Sequence, residues 1–94
     1  MSVDILKEIE MQSGFFRLLV YLSSSGEKQI TDIINDTGIP VHQTYSSIRK
    51  AHSLGLVKSR IDKSRYPHRN LVSLTEKGEK VAAKISEILS IVND

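Results

Sequence analysis

Gly38-Ile39-Pro40-Val41-His42-Gln43-Thr44-Tyr45-Ser46-Ser47-Ile48-Arg49-Lys50-Ala51-His52-Ser53-Leu54-Gly55-Leu56-Val57 is the stretch on which the fold turns. Gly38 can take the left-handed conformation that closes a preceding helix, and Pro40 has a fixed φ that suits the first turn of a new one. Thr44, Ile48 and Ala51 recur at helical spacing, which predicts one face turned to a core over residues 40–54. At about 100° per residue, His42, Ser46, Arg49 and Ser53 gather on the opposite side, flanked by Gln43, Tyr45 and Lys50. Gly55 stands where a helix-ending glycine is expected.

Working outward, Gln29 and Ile30 read as a very short strand. Thr31 reads as the cap of a brief helix that carries Asp32 in its first turn and buries Ile33 and Ile34. Phe15 to Leu22 reads as a strongly apolar helix, stopped by Ser23, Ser24, Ser25 and Gly26 as a short turn. Val3, Leu6 and Ile9 predict an amphipathic helix over residues 3–11, interrupted at Ser13 and Gly14. Downstream, Leu56 to Ile61 and Asn70 to Leu74 read as two antiparallel strands joined by the basic loop 62–69, with Tyr66-Pro67 shaping that loop. Thr75 is the expected N-cap of a last helix over about 76–92, in which Val81, Ile85, Ile88 and Val92 form an apolar seam.

Length and composition narrow the class. A chain of 94 residues is read as one domain, 1–94, without a separate catalytic or ligand-binding module. With no cysteine there is no disulfide scaffold, thiolate zinc site or thiol redox sensor. The run Phe15 to Leu22 is broken by Arg17 and falls far short of the roughly 20 residues that cross a bilayer. The N-terminal Met-Ser-Val-Asp-Ile has neither the basic leader nor the cleavage site of a secretory signal, so the expected location is cytoplasmic, with no membrane partner. Net charge is only +2, but residues 41–74 hold seven bases against the single acid Asp62, a local +6, while the remainder holds six bases against ten acids, net −4. Such a split is what a phosphate-facing surface on an acidic body produces.

Two stretches carry a resemblance to the winged helix-turn-helix regulators of the MarR and ArsR type. Gly38 to Val57 is similar to that family's turn, recognition helix and closing Gly-Leu-Val, and Leu71-Val72-Ser73-Leu74-Thr75-Glu76-Lys77-Gly78 resembles its wing strand running into Leu-Thr-x-x-Gly. The similarity spans roughly Phe15 to Ile85. Pro40 and Val41 depart from it, standing where many relatives carry a small hydroxyl cap and a polar or basic residue. The resemblance implies a mainly α fold with a small β-hairpin, a winged helix-turn-helix with flanking terminal helices. It also implies a non-enzymatic transcription regulator that binds double-stranded DNA as a homodimer.

On this reading, helix 40–54 enters the major groove and wing 62–69 meets the backbone or minor groove. The candidate DNA-binding residues are Val41, His42, Gln43, Tyr45, Ser46, Arg49 and Lys50 on the helix, and Lys63, Arg65 and Arg69 on the wing. His42, Gln43, Tyr45 and Ser46 either read base edges or meet phosphate and water. Lys63 and Arg60 either serve the wing or lie along a strand edge. Leu6, Ile9, Val81, Ile85, Ile88 and Val92, on helices 3–11 and 76–92, form the expected dimer interface. His42, His52 and His68 sit in different elements and match no ligand spacing, so no metal is expected. No cofactor is expected either, and no small-molecule effector is assigned. Neither a nucleophile elbow nor a phosphate-binding glycine loop is present. The alternative reading is a winged helix used as a protein–protein interaction module in a larger assembly, presenting Val41 and Tyr45 to a partner.

Overall fold

Phe15, Leu18, Leu19 and Leu22 fall on one side of a helix, and each keeps 2% or less of its surface accessible. That helix is the post around which the other elements assemble. The computed structural model describes residues 3–94, so the first two residues of the N-terminal pentapeptide lie outside it. The elements are α1 (Val3–Met11), α2 (Phe15–Ser25), β1 (Lys28–Gln29), α3 (Ile30–Thr37), α4 (Val41–Ser53), β2 (Val57–Asp62), β3 (Arg69–Leu74) and α5 (Glu76–Val92). The architecture is the expected winged helix-turn-helix, mainly α, with terminal helices on either side.

The hairpin of β2 and β3 is antiparallel, from Val57 opposite Leu74 to Asp62 opposite Arg69. β1 widens it to a three-stranded sheet of order β1-β3-β2, pairing Lys28 with Val72 and Gln29 with Leu71. One core joins the α2 residues to Ile33, Ile39, Ala51, Leu56, Val57, Val72, Leu74, Ala82 and Ile85. Burying a large apolar side chain contributes about 1.5–3 kcal/mol, so the four from α2 rival the net stability of a small domain.

Several local expectations change. Ser23, Ser24 and Ser25 are the last turn of α2 instead of a stop, because Ser24 Oγ donates back to the carbonyls of Val20 and Tyr21 at 3.2 Å. α3 starts at Ile30, behind an extended Gln29, so Thr31 lies within the helix and is not its cap. Pro40 sits just before α4, with ψ at 148°, and not in its first turn. Gly38 does take the left-handed conformation, φ 71°, with its N–H bonded to the Ile34 carbonyl at 3.1 Å. α4 ends in a Schellman arrangement, Leu56 N–H to Ala51 O at 2.8 Å and Gly55 N–H to His52 O at 3.0 Å.

Thr75 caps α5 as predicted, its Oγ1 accepting from Gly78 N–H at 3.0 Å and donating to the Gly55 carbonyl at 2.7 Å. Gly78 itself is buried. A Cβ there would overlap the Leu56 carbonyl oxygen and stand 3.2 Å from Leu74 Cδ2, so only glycine lets α5 start against the end of α4.

Candidate nucleic-acid interface

The core side of α4 is built from Thr44, Ser47 and Ala51, none with measurable exposure. Ser47 takes the place predicted for Ile48, which is half-buried at the edge of the core. Buried hydroxyls need partners, and both find backbone carbonyls. Thr44 Oγ1 lies 3.2 Å from Ile39 O and 3.1 Å from Pro40 O, and Ser47 Oγ donates to Ser13 O at 3.0 Å while accepting from Gln12 Nε2 at 3.3 Å. The helix is therefore held at a fixed rotation by directed bonds to the turn before it and to the turn joining α1 and α2.

That rotation leaves Val41, His42, Tyr45, Arg49, His52 and Ser53 exposed, with Gln43, Ser46 and Lys50 half-buried. Arg49 forms no ion pair among the described residues. Lys50 is turned toward α1, its Nζ 3.6 Å from Glu8 Oε2. Of the two cations predicted to work together, Arg49 thus faces outward and Lys50 bridges to the N-terminal helix.

The wing is stiffened at its base by Asp62. Its Oδ1 accepts from Ser64 N–H at 3.0 Å and Ser64 Oγ at 2.6 Å, and its Oδ2 accepts from Arg69 Nη2 at 3.1 Å. The Ser64 hydroxyl and amide, then the Arg69 guanidinium, hold the Asp62 carboxyl well below the usual carboxylate range. Arg69, expected on DNA, is half-buried and committed to Asp62, with an Nε that has no partner among the described residues. Lys63 and Arg65 are exposed and form no ion pair among the described residues, and the exposed ring of Tyr66 meets that of His68 edge-on, centroids 6.1 Å apart. Arg60 is held on the strand by a bidentate pair with Glu27, at 2.8 and 2.7 Å.

The residues expected at a dimer interface divide. Leu6, Ile88 and Val92 are exposed, at 46%, 56% and 70%, whereas Ile9 and Val81 are half-buried against the core. Ile85 is only 7% exposed and is a core residue of the chain itself, since the seam turns inward where α5 crosses α2. A groove of about 910 Å³ runs between α1, α2, the end of α3 and α5, with Ile9, Phe16, Ile88 and Leu89 on its apolar walls. At its edge Tyr21 Oη donates to Asp36 Oδ2 at 2.6 Å. Burial, and then that bond, push the phenol up to about 12.

Sequence reasoning did not single out Glu8, Gln12 or Ser47, and it noted Asp62 only as the single acid of the basic stretch, without a role in the wing. The only available signal was for Asp62, an acid followed two residues later by a serine, a common self-bonding turn. Among the described residues no group of three His, Cys, Asp or Glu side chains is placed to hold a metal, and no helix is long and apolar enough to cross a membrane.

No protein family's sequence profile matches the chain, and no curated protein matches it. Solved structures do. A MarR family transcriptional regulator from Silicibacter pomeroyi is 24% identical with a TM-score of 0.76, over 96% of this chain and 59% of that one. BpsR from Bordetella bronchiseptica, described for regulation of its DNA binding by 6-hydroxynicotinic acid, is 17% identical with a TM-score of 0.79, over 96% of this chain and 64% of that one. A transcriptional regulator homologue from Pyrococcus horikoshii is 21% identical with a TM-score of 0.70, over 97% of this chain and 96% of that one. The chain thus spans about three fifths of the length of the first two. At these identities the likeness shows the fold, the winged helix found in MarR-type regulators.

Proposed function

We propose that the chain is a sequence-specific regulator of transcription, without enzymatic activity, that binds double-stranded DNA in the cytoplasm as a homodimer. α4 lies in the major groove, with His42, Gln43, Tyr45, Ser46 and Arg49 toward base edges and phosphates, and the wing carries Lys63 and Arg65 to the backbone or minor groove. Arg69 serves this contact by holding the wing, and Lys50 reaches phosphate from beside α1. One observation carries the reading: Arg49, Lys63 and Arg65 are exposed and unpaired on a helix and a hairpin that follow one another in the chain. Exposed cations on two neighbouring elements, in a stretch whose single acid is already bonded to Ser64 and Arg69, suit a polyanion.

The test is a titration of labelled duplex at several salt concentrations. The logarithm of affinity should fall with log salt at a slope of about −0.9 per phosphate neutralised. Arg49→Ala should weaken binding by about 1–3 kcal/mol if its guanidinium reads a base, while Arg65→Ala should act on all sequences alike and lower the slope by about 1. Absence of duplex affinity at low salt overturns the proposal.

Dimerisation is supported by the terminal helices. α1 buries none of its residues fully, and every residue from 86 to 94 is exposed, including Ile88, Leu89, Ile91 and Val92. A contiguous apolar surface of this kind marks an interface, and a two-fold dimer presents its two reading helices to two half-sites of an inverted repeat. The groove beside these helices, together with the ligand described for BpsR, supports a role for a small aromatic acid as effector, which thermal-shift measurements with such acids would detect. The second reading, a protein-interaction module, rests on the exposed Val41 and Tyr45. Co-purification of a partner that survives nuclease treatment, from a chain that binds no duplex, would favour it.

A further inference from the structure

Val41 opens α4 with 56% of its surface exposed, and Tyr45, one turn further along, keeps 47%. At about 100° per residue the two stand about 40° apart, with Arg49 about 40° beyond Tyr45; Tyr45 is far from the buried face, and Val41 lies at its border, about 60° from Thr44, yet exposed at the helix tip. Neither belongs to the core. Local structure gives Val41 no purpose: a β-branched residue is an indifferent helix former, and valine has no atom with which to cap the free N–H groups of the first turn. An apolar ledge at the tip of a polar, cation-flanked helix therefore asks for an apolar group on the ligand.

The major groove of DNA offers one such group prominently, the 5-methyl of thymine, and it lies where the N-terminal residues of a reading helix reach base edges. We infer that Val41 selects thymine in each half-site by covering that methyl group, with Tyr45 extending the same apolar ledge. This rests on the DNA-binding reading above and adds to it a residue that sets sequence. Selection works in both directions. Covering the methyl removes apolar surface from water, whereas a cytosine at that place would lose the water bonded to its N4 donor and receive no partner from an isopropyl group. The charges nearby favour a duplex as the occupant: Arg49 lies on the same arc, and Lys63 and Arg65 project from the hairpin that follows.

The experiment first recovers bound sites from random duplex DNA, then remakes one site with deoxyuridine in place of each thymine in turn. Uracil pairs with adenine as thymine does and lacks only the methyl. At one position in each half-site the replacement should weaken the wild-type protein about four-fold, the worth of one buried methyl-sized group. Val41→Ser should bind the thymine and uracil duplexes equally, and Val41→Ile should keep the preference; Val41 is exposed, so both variants keep the fold. If no thymine is sensitive to the replacement, or if Val41→Ser still prefers the methylated base, the inference is overturned while DNA binding stands. If the selection recovers no duplex at all, the DNA-binding reading itself fails and the inference goes with it.

Discussion

Replacing Gly78 by alanine should destabilise this protein, although the same change in most helices does the reverse. Gly78 lies in the first turn of α5, and in an exposed helix alanine is favoured over glycine by about 1 kcal/mol. Here an added Cβ overlaps the Leu56 carbonyl oxygen and comes within 3.0 Å of its carbon, and those atoms are backbone that no side-chain rotation can clear. The segment could retreat only by stretching Thr75 N–H to Leu56 O, now 3.0 Å, and the Lys77 Nζ bond to Leu54 O, also 3.0 Å. Overpacking costs about 1–3 kcal/mol and a lost hydrogen bond about 0.5–1.5 kcal/mol, against the gain of about 1 kcal/mol in helix propensity. A net loss of about 1–3 kcal/mol follows, which in a domain of this size lowers Tm by about 4–8 °C per kcal/mol. Thermal and urea unfolding should be followed at one protein concentration, because a dimer's stability depends on it. Ala83→Gly, at an exposed position of α5, supplies the ordinary propensity effect for comparison. A Gly78→Ala protein with Tm unchanged or raised would refute the close approach of α5 to the end of α4.

The two isoleucines of α5 should separate folding from association: Ile85→Ala costs about 2–5 kcal/mol in unfolding experiments, whereas Ile88→Asp leaves the protomer folded and lowers the mass seen by light scattering to that of one chain. Asp62→Asn should speed hydrogen exchange at the Ser64 amide and lower DNA affinity. Because the folded carboxyl is held below its unfolded value, the tether contributes fully above the ordinary carboxylate range and is lost only as pH falls through the depressed value, so protection of Ser64 that disappears near pH 5 would contradict the geometry. Ultraviolet titration should find one of the three tyrosines ionising at about 12, brought down by Asp36→Asn. With the folded phenol above its unfolded value, the linked stability is complete below about pH 10 and is lost as pH rises toward 12.

The elements that could be read from sequence were those whose signals are local. Periodicity located the helices, Gly38 and Gly55 marked their ends, and Thr75 announced its helix by the capping chemistry any isolated peptide would show. What escaped was decided across distance. The serines 23–25 resemble a stop because their hydroxyls compete for backbone, yet here they bond back along the helix they prolong. Ser47 resembles a surface residue until Ser13 and Gln12, more than thirty positions away, give its hydroxyl partners. Arg69 and Arg65 are alike in sequence, and only the pairing of β2 with β3 places Asp62 opposite the first and not the second. Ile85 and Ile88 share one seam, and the crossing with α2 decides which is core.

The same long-range contacts explain why a helix with so small a buried face can hold a defined outer one. Thr44, Ser47 and Ala51 let α4 approach its neighbours closely, but small side chains interlock weakly and would tolerate some rotation about the axis. Hydrogen bonds are directional, weakening steeply away from linearity, so the Ser47 bond to Ser13 and the Thr44 bonds to the turn before α4 fix what packing leaves loose. A turn of about 100° would exchange neighbouring residues on the outer arc and replace Arg49 with Ile48 or Lys50. The partner of Ser47 lies in the turn joining α1 to α2, and Lys50 meets Glu8 on α1 itself. The rotation of the proposed reading helix is thus set in part from the same helix whose apolar face is proposed for dimerisation. In a two-fold dimer, a shift of α1 would be transmitted to both reading helices together, and half-site spacing and base contact would change as one.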